Sequence, residues 1–340
     1  MIPSTMLAMV LEAPGTPLQL REVPVPVPGD NQVLIRIIAC GVCRTDLHIM
    51  DGDLRSPKLP LIPGHEIVGV IVASGRDAGH FKAGDLAGVP WLAFTCGQCR
   101  YCRKGQENLC ENALFTGYTV NGGYAEYVTA HAQYCFRIPP VYAAPEGAPL
   151  LCAGLIGYRS WRMIDPMAQY IGLYGFGAAA HILTQIARYA HKQIYAFTRK
   201  DDIGGQEFSL QLGTIWAGSS DQQPPVKLDA AIIFAPDGRL VPAALSSLDK
   251  GGQLVCAGIH MSDIPSFPYQ LLWEERSVRS VANLTREDGE LFFDIAAKAT
   301  IQTTIERFKL SQANEALERL RSGLIKGAAV LVPDAQYQML

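Results

Sequence analysis

The sequence predicts an α/β protein of two domains, one mostly β and the other built on a doubly wound parallel sheet. Short strand-like runs separated by Pro and Gly turns fill the chain up to about residue 151. After Cys152 a buried-strand run leads into a glycine turn and a helical pattern, and strands then alternate with helices. A length of 340 residues suits about two domains of ordinary size.

The first predicted domain takes its strands from both ends of the chain. Residues 32–39 and 67–73 are typical of its strands. From about Arg286 onward we expect one helical segment, 312–321, followed by a strand at 328–332 that rejoins this domain. The predicted boundaries are therefore 1–153 and 287–340 for the first domain, and 154–286 for the second.

The second predicted domain follows the order strand, glycine turn, helix, strand. Residues 170–174 form its first strand, the helical pattern runs to about His191, and the next strand covers 193–197. Two more strands, 230–234 and 253–257, enclose a helical stretch at 241–248. The linker at 218–229 is too short for a usual crossover helix, so we expect this edge of the sheet to be shortened by the loss of that helix.

Composition excludes several functional classes. A net charge of -3, with acids and bases nearly balanced, argues against nucleic-acid or membrane partners and favours a small-molecule ligand. Gly, Pro or His interrupts each apolar stretch before it reaches membrane-spanning length. Nine cysteines, without a basic and apolar leader, favour metal binding in a reducing compartment, and we expect a cytoplasmic protein.

The cysteines predict two metal sites of different kinds. Two, two and seven residues separate the cysteines of one short loop, which can close a tetrahedral structural zinc site by itself: Cys96, Cys99, Cys102 and Cys110. A second set, Cys43, His65 and Cys152, is scattered along the chain, and three distant ligands leave a fourth position open for catalysis. Taken singly, each of these three is better explained as a buried cysteine or a core histidine.

Taken together, these motifs resemble the zinc-dependent alcohol dehydrogenases of the medium-chain dehydrogenase/reductase superfamily, over nearly the whole chain. The motifs occur in family order: Gly41 to His48, Pro63-Gly64-His65-Glu66, the four-cysteine loop, Gly117-Tyr118, Gly122-Gly123-Tyr124, Leu151 to Gly154, and the glycine turn. The resemblance implies a GroES-like catalytic domain and a Rossmann-type cofactor domain. It also implies two zinc ions per subunit and interconversion of an alcohol with its aldehyde or ketone by hydride transfer with NAD(P)(H).

The resemblance assigns a role to several residues around the catalytic zinc. Bound by Cys43, His65 and Cys152, that zinc would polarise the alcohol oxygen as a Lewis acid. Asp46 would orient His65 through its other ring nitrogen, and Glu66 would stand behind the metal. Thr45 would accept the substrate proton and pass it through the nicotinamide ribose to His48. The alternatives without a catalytic role are a structural ion pair for Glu66 and surface positions for Thr45 and His48.

The glycine turn is the predicted cofactor site. Amide groups at the start of a helix bind pyrophosphate, and this turn offers Gly175, Phe176, Gly177, Ala178 and Ala179. Arg44 would add positive charge. The second strand leads into Thr198-Arg199-Lys200 instead of an acid, which favours NADP(H), although solvated surface charge would leave NAD(H) possible.

Other positions concern cofactor affinity and substrate. Ala328 stands where the family commonly has an Arg or Lys against the cofactor phosphates, so we expect altered cofactor affinity. Trp91 and Leu54 would form apolar walls of the substrate pocket, with Thr45 as its polar contact. Leu54 replaces a tryptophan of yeast-like enzymes and favours a substrate larger than ethanol, so aromatic alcohols of the benzyl or cinnamyl type are the alternative.

Two rival functions come from other classes. A zinc protein that senses nucleotide would bind cofactor without turnover, and a zinc-ribbon module would bind nucleic acid in a salt-dependent way. The balanced charge argues against the second rival. The resemblance also implies a homo-oligomer, either a dimer or a tetramer.

Overall fold

The computed structural model describes residues 1–54, 56–79 and 81–337. The strands, in chain order, are β1 Thr5–Val10, β2 Gln19–Pro24, β3 Gln32–Val42, β4 Glu66–Ser74, β5 Leu86–Val89, β6 Leu92–Phe94, β7 Leu114–Phe115, β8 Tyr127–His131, β9 Phe136–Arg137, β10 Tyr170–Tyr174, β11 Gln193–Thr198, β12 Trp216–Ser219, β13 Leu228–Ile233, β14 Leu248–Cys256, β15 Ser277–Ser280, β16 Ile305–Lys309 and β17 Ala328–Val332. The α-helices are α1 Arg44–Asp51, α2 Ala153–Arg162, α3 Ala178–Tyr189, α4 Ile203–Gln211, α5 Leu240–Ser247, α6 Arg286–Ala299 and α7 Ala313–Arg321.

The chain divides into two compact units. The first comprises Met1–Cys152, Asn283–Phe293 and the described residues from Gln302 onward, and the second comprises Ala153–Ala282 and Asp294–Ile301. The predicted fold class, a mostly β domain with a Rossmann-type parallel-sheet domain, is confirmed. The exact domain boundaries stay a prediction.

The first unit is organised by a seven-stranded sheet in the order β16-β17-β3-β4-β5-β9, with β8 also paired to β3. Near its middle, β3 pairs antiparallel with β4 and β17. Most residues of β3 and β4 are buried, which explains their runs of Val and Ile. A single core cluster includes Ile35, Ile37, Ile67 and Ile71, each at most 1% exposed. This core supports the segments that carry the candidate metal ligands.

The second unit is a six-stranded parallel sheet in the order β12-β11-β10-β13-β14-β15. β10 and β11 are neighbours in register, with Tyr174 opposite Phe197, so their carboxyl ends lie at one edge of the sheet. No helix occurs between β12 and β13 in this described stretch, in agreement with the short linker that the sequence contains.

One sequence expectation is wrong. Beyond Arg286 we expected a single helical segment, but α6 occupies Arg286–Ala299 as well as the expected α7. Gly289 interrupts the helical pattern in the sequence, but a Cβ at this position would overlap the Phe136 ring, so close packing accounts for the glycine. Phe292 and Ala296 of α6 are fully buried, which stabilises the helix despite that glycine.

None of the helices within the described residues is long and apolar enough to cross a membrane.

Candidate metal centres and cofactor turn

The scattered ligand set comes together at the ends of the central strands of the first unit. Cys43 follows β3 and caps α1, His65 immediately precedes β4, and Cys152 follows the 3₁₀ segment Pro145–Leu151. The ligand atoms of Cys43, His65, Glu66 and Cys152 all lie within 4.8 Å of one another. Cys43 Sγ and Cys152 Sγ are 3.8 Å apart. The structure thus brings together every residue predicted for the catalytic zinc, with Glu66 beside them.

The donor set of this cluster fits a zinc ion. His65 is fully buried, and its Nε2 has no hydrogen-bond partner. A buried imidazole nitrogen without a partner is costly, and a metal ion would satisfy it. Two sulfurs and one imidazole are ligands that zinc prefers, and three protein ligands correspond to an open site.

The electrostatics of the cluster favour a thiolate at Cys43. The hydrogen bond with Cys152 and the neighbouring His65 hold the pKa of Cys43 well below its usual value, although burial opposes this. The same sulfur pair, together with burial, raises the pKa of Cys152. Burial and the Cys43 charge raise the pKa of Glu66. Without a cation, Cys152 and Glu66 therefore tend to keep their protons beside the Cys43 thiolate, and a divalent cation would favour their deprotonation.

Asp46 lies behind His65, where the resemblance predicts it. Its Oδ1 is 3.2 Å from His65 Nδ1, although the angle between them is not that of a good hydrogen bond. We therefore treat this contact as electrostatic. Burial acts to lower the pKa of His65, but the Asp46 carboxylate and the Cys43 sulfur together outweigh it and raise that pKa. Asp46 Oδ2 accepts the backbone N–H of Cys43 at 2.8 Å, which closes the capping box of α1.

Helix α1 also carries the predicted proton-transfer residues. Thr45 Oγ1 lies 3.7 Å from Cys43 Sγ and its side chain is buried. His48 Nδ1 lies 2.8 Å from Asp53 Oδ2, and since a carboxylate can only accept, the ring donates from Nδ1. Sequence reasoning missed Asp53, which the Gly52 turn at the end of the helix brings back to His48.

Trp91, predicted from the sequence as a wall of the substrate pocket, lies next to His65. Its ring is 4.9 Å from the His65 ring in an edge-on arrangement and stacks on Phe115 and Tyr118 at 5.3 Å and 5.6 Å. Leu54 is half-buried and packs on the core of the same unit. Phe115 and Tyr118 were not among the predicted pocket residues, and only their aromatic character could have indicated them.

Three closely packed glycines, Gly64, Gly117 and Gly123, form a glycine cluster that fixes the backbone leading into His65. Gly64 has φ +94°, and a Cβ there would approach Tyr124 Cε1 to 2.7 Å and Cys40 Sγ to 2.8 Å. A Cβ on Gly117 would approach the Gly64 nitrogen to 2.6 Å, and one on Gly123 would approach Cys40 Sγ to 2.9 Å. Glycines from separate sequence motifs are thus required by several close contacts at one place in the fold.

The four-cysteine loop forms a second cluster whose sulfurs lie within 4.8 Å of one another. Cys96 and Cys110, and likewise Cys99 and Cys102, are 3.5 Å apart at Sγ. Backbone N–H groups of Cys96, Cys99 and Cys102 donate to sulfurs of the cluster at 3.3–3.5 Å. The N–H of Cys102 is the main cause that lowers the pKa of Cys99 to about 6, while burial raises the pKa of Cys110 to about 11. The set fits a closed structural zinc site.

The predicted cofactor residues of the second unit lie at the carboxyl edge of its sheet. Gly175 has φ +87° and Gly177 caps α3, with open space where its Cβ would be. Phe176, Ala178 and Ala179 complete the turn, and Ala180 is fully buried under it. This edge has the strand-turn-helix form that binds pyrophosphate.

Beside the turn, β11 ends at Thr198, with Arg199 and Lys200 exposed after it. Thr198 is 3% exposed, and its hydroxyl donates to the Arg199 carbonyl and accepts from Gln206 Nε2, both at 3.0 Å. Arg44, the other cationic residue of the cofactor prediction, is exposed on α1 of the first unit. Ala328 opens β17 in that unit.

Comparison with known proteins gives one consistent result. Residues 29–140 match the alcohol dehydrogenase GroES-like domain. A probable alcohol dehydrogenase of Mycobacterium tuberculosis is 45% identical, covering 97% of this chain and 98% of the relative. An alcohol dehydrogenase of Geobacillus stearothermophilus is 36% identical, covering 92% and 95%.

A solved structure agrees with these relatives. Acetophenone reductase from Geotrichum candidum, in complex with NAD, is 27% identical, covers 98% of this chain and 99% of its own, and superimposes with a TM-score of 0.85. The chain is therefore an enzyme that interconverts alcohols and carbonyl compounds with a nicotinamide cofactor, and it belongs to the zinc-type, medium-chain alcohol dehydrogenase family.

Proposed function

We propose that this enzyme works as an NADP(H)-preferring alcohol dehydrogenase with two zinc ions per subunit, acting on alcohols or carbonyl compounds larger than ethanol. The observation that carries the proposal is the convergence of Cys43, His65 and Cys152 around a buried Nε2 that has no other partner. Zinc held there would supply Lewis-acid polarisation of the substrate oxygen.

The chain's own residues account for proton movement. The Thr45 hydroxyl, next to Cys43, would accept the proton that the alcohol releases and at the same time give up its own proton towards His48. His48 would deliver this proton to solvent, since Asp53 engages its Nδ1 and the neutral ring can then accept at Nε2. Asp46 would keep the His65 ring in place, and Glu66 would contribute a carboxylate behind the metal during ligand exchange.

The proposed cofactor preference depends on charge at the end of β11. Arg199 and Lys200 are exposed and suit a 2′-phosphate, whereas the Thr198 hydroxyl already has two hydrogen bonds within the chain. We therefore assign phosphate binding to the two cations and give Thr198 the role of shaping the loop. Gly175 to Ala179 would hold the pyrophosphate, with Arg44 as a further cation.

The substrate pocket is proposed to be apolar and aromatic. Trp91, stacked on Phe115 and Tyr118, presents a flat wall next to His65. With Leu54 in place of a larger side chain, such a wall suits branched or aromatic substrates, with benzyl and cinnamyl alcohols as the alternative to short aliphatic ones. None of the nine cysteines forms a disulfide, which supports a cytoplasmic, reducing environment. A homo-oligomer, dimer or tetramer, completes the proposal.

Initial rates of aldehyde and ketone reduction with NADPH and with NADH, over short, branched and aromatic substrates, test the proposal. We expect faster turnover with NADPH at subsaturating cofactor. Arg199→Ala should raise KM for NADPH by about tenfold and leave KM for NADH nearly unchanged, because only NADPH carries the 2′-phosphate. Faster turnover with NADH, together with no effect of Arg199→Ala, would contradict the cofactor assignment.

A further inference from the structure

Tyr124 is a buried side chain next to the catalytic cluster to which the proposed mechanism assigns no role. It is 0% exposed, and backbone hydrogen bonds fix its position. The N–H groups of Gly122, Gly123 and Tyr124 donate to Ile62, Gly64 and Pro63 at 2.7–2.9 Å. The segment that carries Tyr124 is thereby bonded to the segment that ends at His65.

The hydroxyl of Tyr124 donates to Asp46 Oδ2 at 3.0 Å. The same oxygen accepts the Cys43 N–H at 2.8 Å, so two donors from different parts of the chain converge on it. Burial and the Asp46 charge raise the pKa of Tyr124, which keeps the hydroxyl protonated as a donor. Asp46 Oδ1 is left facing His65 Nδ1 at 3.2 Å.

Two donors on one oxygen fix the plane of the Asp46 carboxylate. Asp46 is fully buried, and a buried carboxylate that lacks donors is strongly destabilised. Without the Tyr124 hydroxyl, the Cys43 N–H alone would hold Oδ2, and the carboxylate could rotate about that one bond. The His65 ring would then lose the electrostatic contact that orients it, because neither of its nitrogens has a hydrogen-bond partner in the described chain.

We propose that Tyr124 is a positioning residue that holds Asp46 in place, so that His65 presents Nε2 to a divalent metal. The inference rests on the metal centre proposed above. A purely space-filling role would need only the ring, which packs against Gly64, and phenylalanine would serve equally well. The hydroxyl is therefore the group to test.

The experiment follows metal release from purified Tyr124→Phe protein with the chelator 4-(2-pyridylazo)resorcinol. The kinetic phase of metal release that is absent in Cys43→Ser protein is assigned to the scattered site. We expect this phase to be about tenfold faster in Tyr124→Phe, the low end of the effect typical of groups beyond the ligands themselves. Tyr174→Phe is the matched control, because Tyr174 is equally buried and its hydroxyl bonds to Ser247 at 3.1 Å in the second unit.

A double-mutant cycle with Asp46→Asn separates positioning from general packing. If Tyr124 acts through Asp46, adding Tyr124→Phe to Asp46→Asn should not accelerate release further. As a second measurement, cobalt bound at this site should show an altered visible thiolate and ligand-field spectrum in Tyr124→Phe.

The outcomes distinguish this inference from the proposed metal centre. If Tyr124→Phe releases metal at the parental rate and leaves the cobalt spectrum unchanged, the role of Tyr124 is overturned and the metal centre is not. The same holds if Tyr174→Phe accelerates release as much as Tyr124→Phe does. It also holds if Tyr124→Phe accelerates release as much in Asp46→Asn protein as in the parent. A parent protein that retains no metal at the scattered site would overturn both proposals.

Discussion

The two cysteine-containing sites are assembled in opposite ways. The four-cysteine loop takes all its candidate ligands from residues 96–110, and its own backbone N–H groups donate to the sulfurs. The scattered site takes its candidate ligands, Cys43, His65 and Cys152, from three distant segments. Its geometry depends on β3, β4 and the glycine cluster. The first is a property of one loop, whereas the second is a property of the folded domain.

The two sites also differ in the burial of their polar side chains. Cys43 and Cys152 of the scattered site are half-buried, as are three of the four loop cysteines, but the scattered site also contains His65 and Glu66, which are only 0% and 5% exposed. A buried polar cluster must have each group satisfied, so its orientation requires supporting residues such as Asp46 and Tyr124. Changes in the surrounding fold should consequently damage the scattered site more than the loop.

The largest effect is expected when a glycine with a left-handed backbone conformation beside each site is replaced by alanine. Gly64→Ala should reduce the free energy of unfolding by about 2–4 kcal/mol, because its Cβ would overlap Tyr124 and Cys40 and its φ of +94° is unfavourable. Gly97→Ala in the loop, with φ +69° and open space around the Cβ, should cost only about 1 kcal/mol. Urea unfolding measures both, and equal costs would remove the contrast.

An ion pair that anchors the four-cysteine loop should give a smaller effect. Glu107 is 9% exposed and accepts from the backbone and the guanidinium of Arg286 at 2.7–3.1 Å. Glu107→Gln should cost about 1–2 kcal/mol of unfolding free energy. The exposed pair of Glu111 with Arg100 in the same loop is the control, and Glu111→Gln should change stability by less than about 0.5 kcal/mol. A loop that unfolds independently of Arg286 would show no difference between the two variants.

The smallest expected effect is a pH dependence beside the loop. Burial, then the Arg286 charge, lowers the pKa of His131, which packs against Phe94 and Tyr134. The unfolded chain therefore binds the proton first, and stability should fall as pH drops below about 6.5 towards the lowered folded pKa. His131→Gln should flatten this part of the pH profile of the unfolding free energy. An unchanged profile would show that His131 is not its source.

The sequence predicted the ligand sets better than their surroundings. The strand 170–174 and its glycine turn were predictable because a buried run followed by glycine has few alternatives, and β10 has these bounds. The bond between Glu107 and Arg286 spans 179 residues, and no local pattern indicates it. Tyr124 belongs to the motif Gly122-Gly123-Tyr124, but its contact with Asp46 depends on how β3, β4 and the glycine cluster pack together. Helix α6 was missed because tertiary packing outweighs the low helix propensity of Gly289.

Zinc content per subunit, measured with turnover on parent and Cys43→Ser proteins of equal folded fraction, tests the central claim most directly. We predict two zinc ions in the parent and one in Cys43→Ser, which would retain the loop site and lose turnover by about three orders of magnitude or more. One zinc or none in the parent, or substantial turnover in Cys43→Ser, would contradict the division into a structural loop site and a scattered catalytic site.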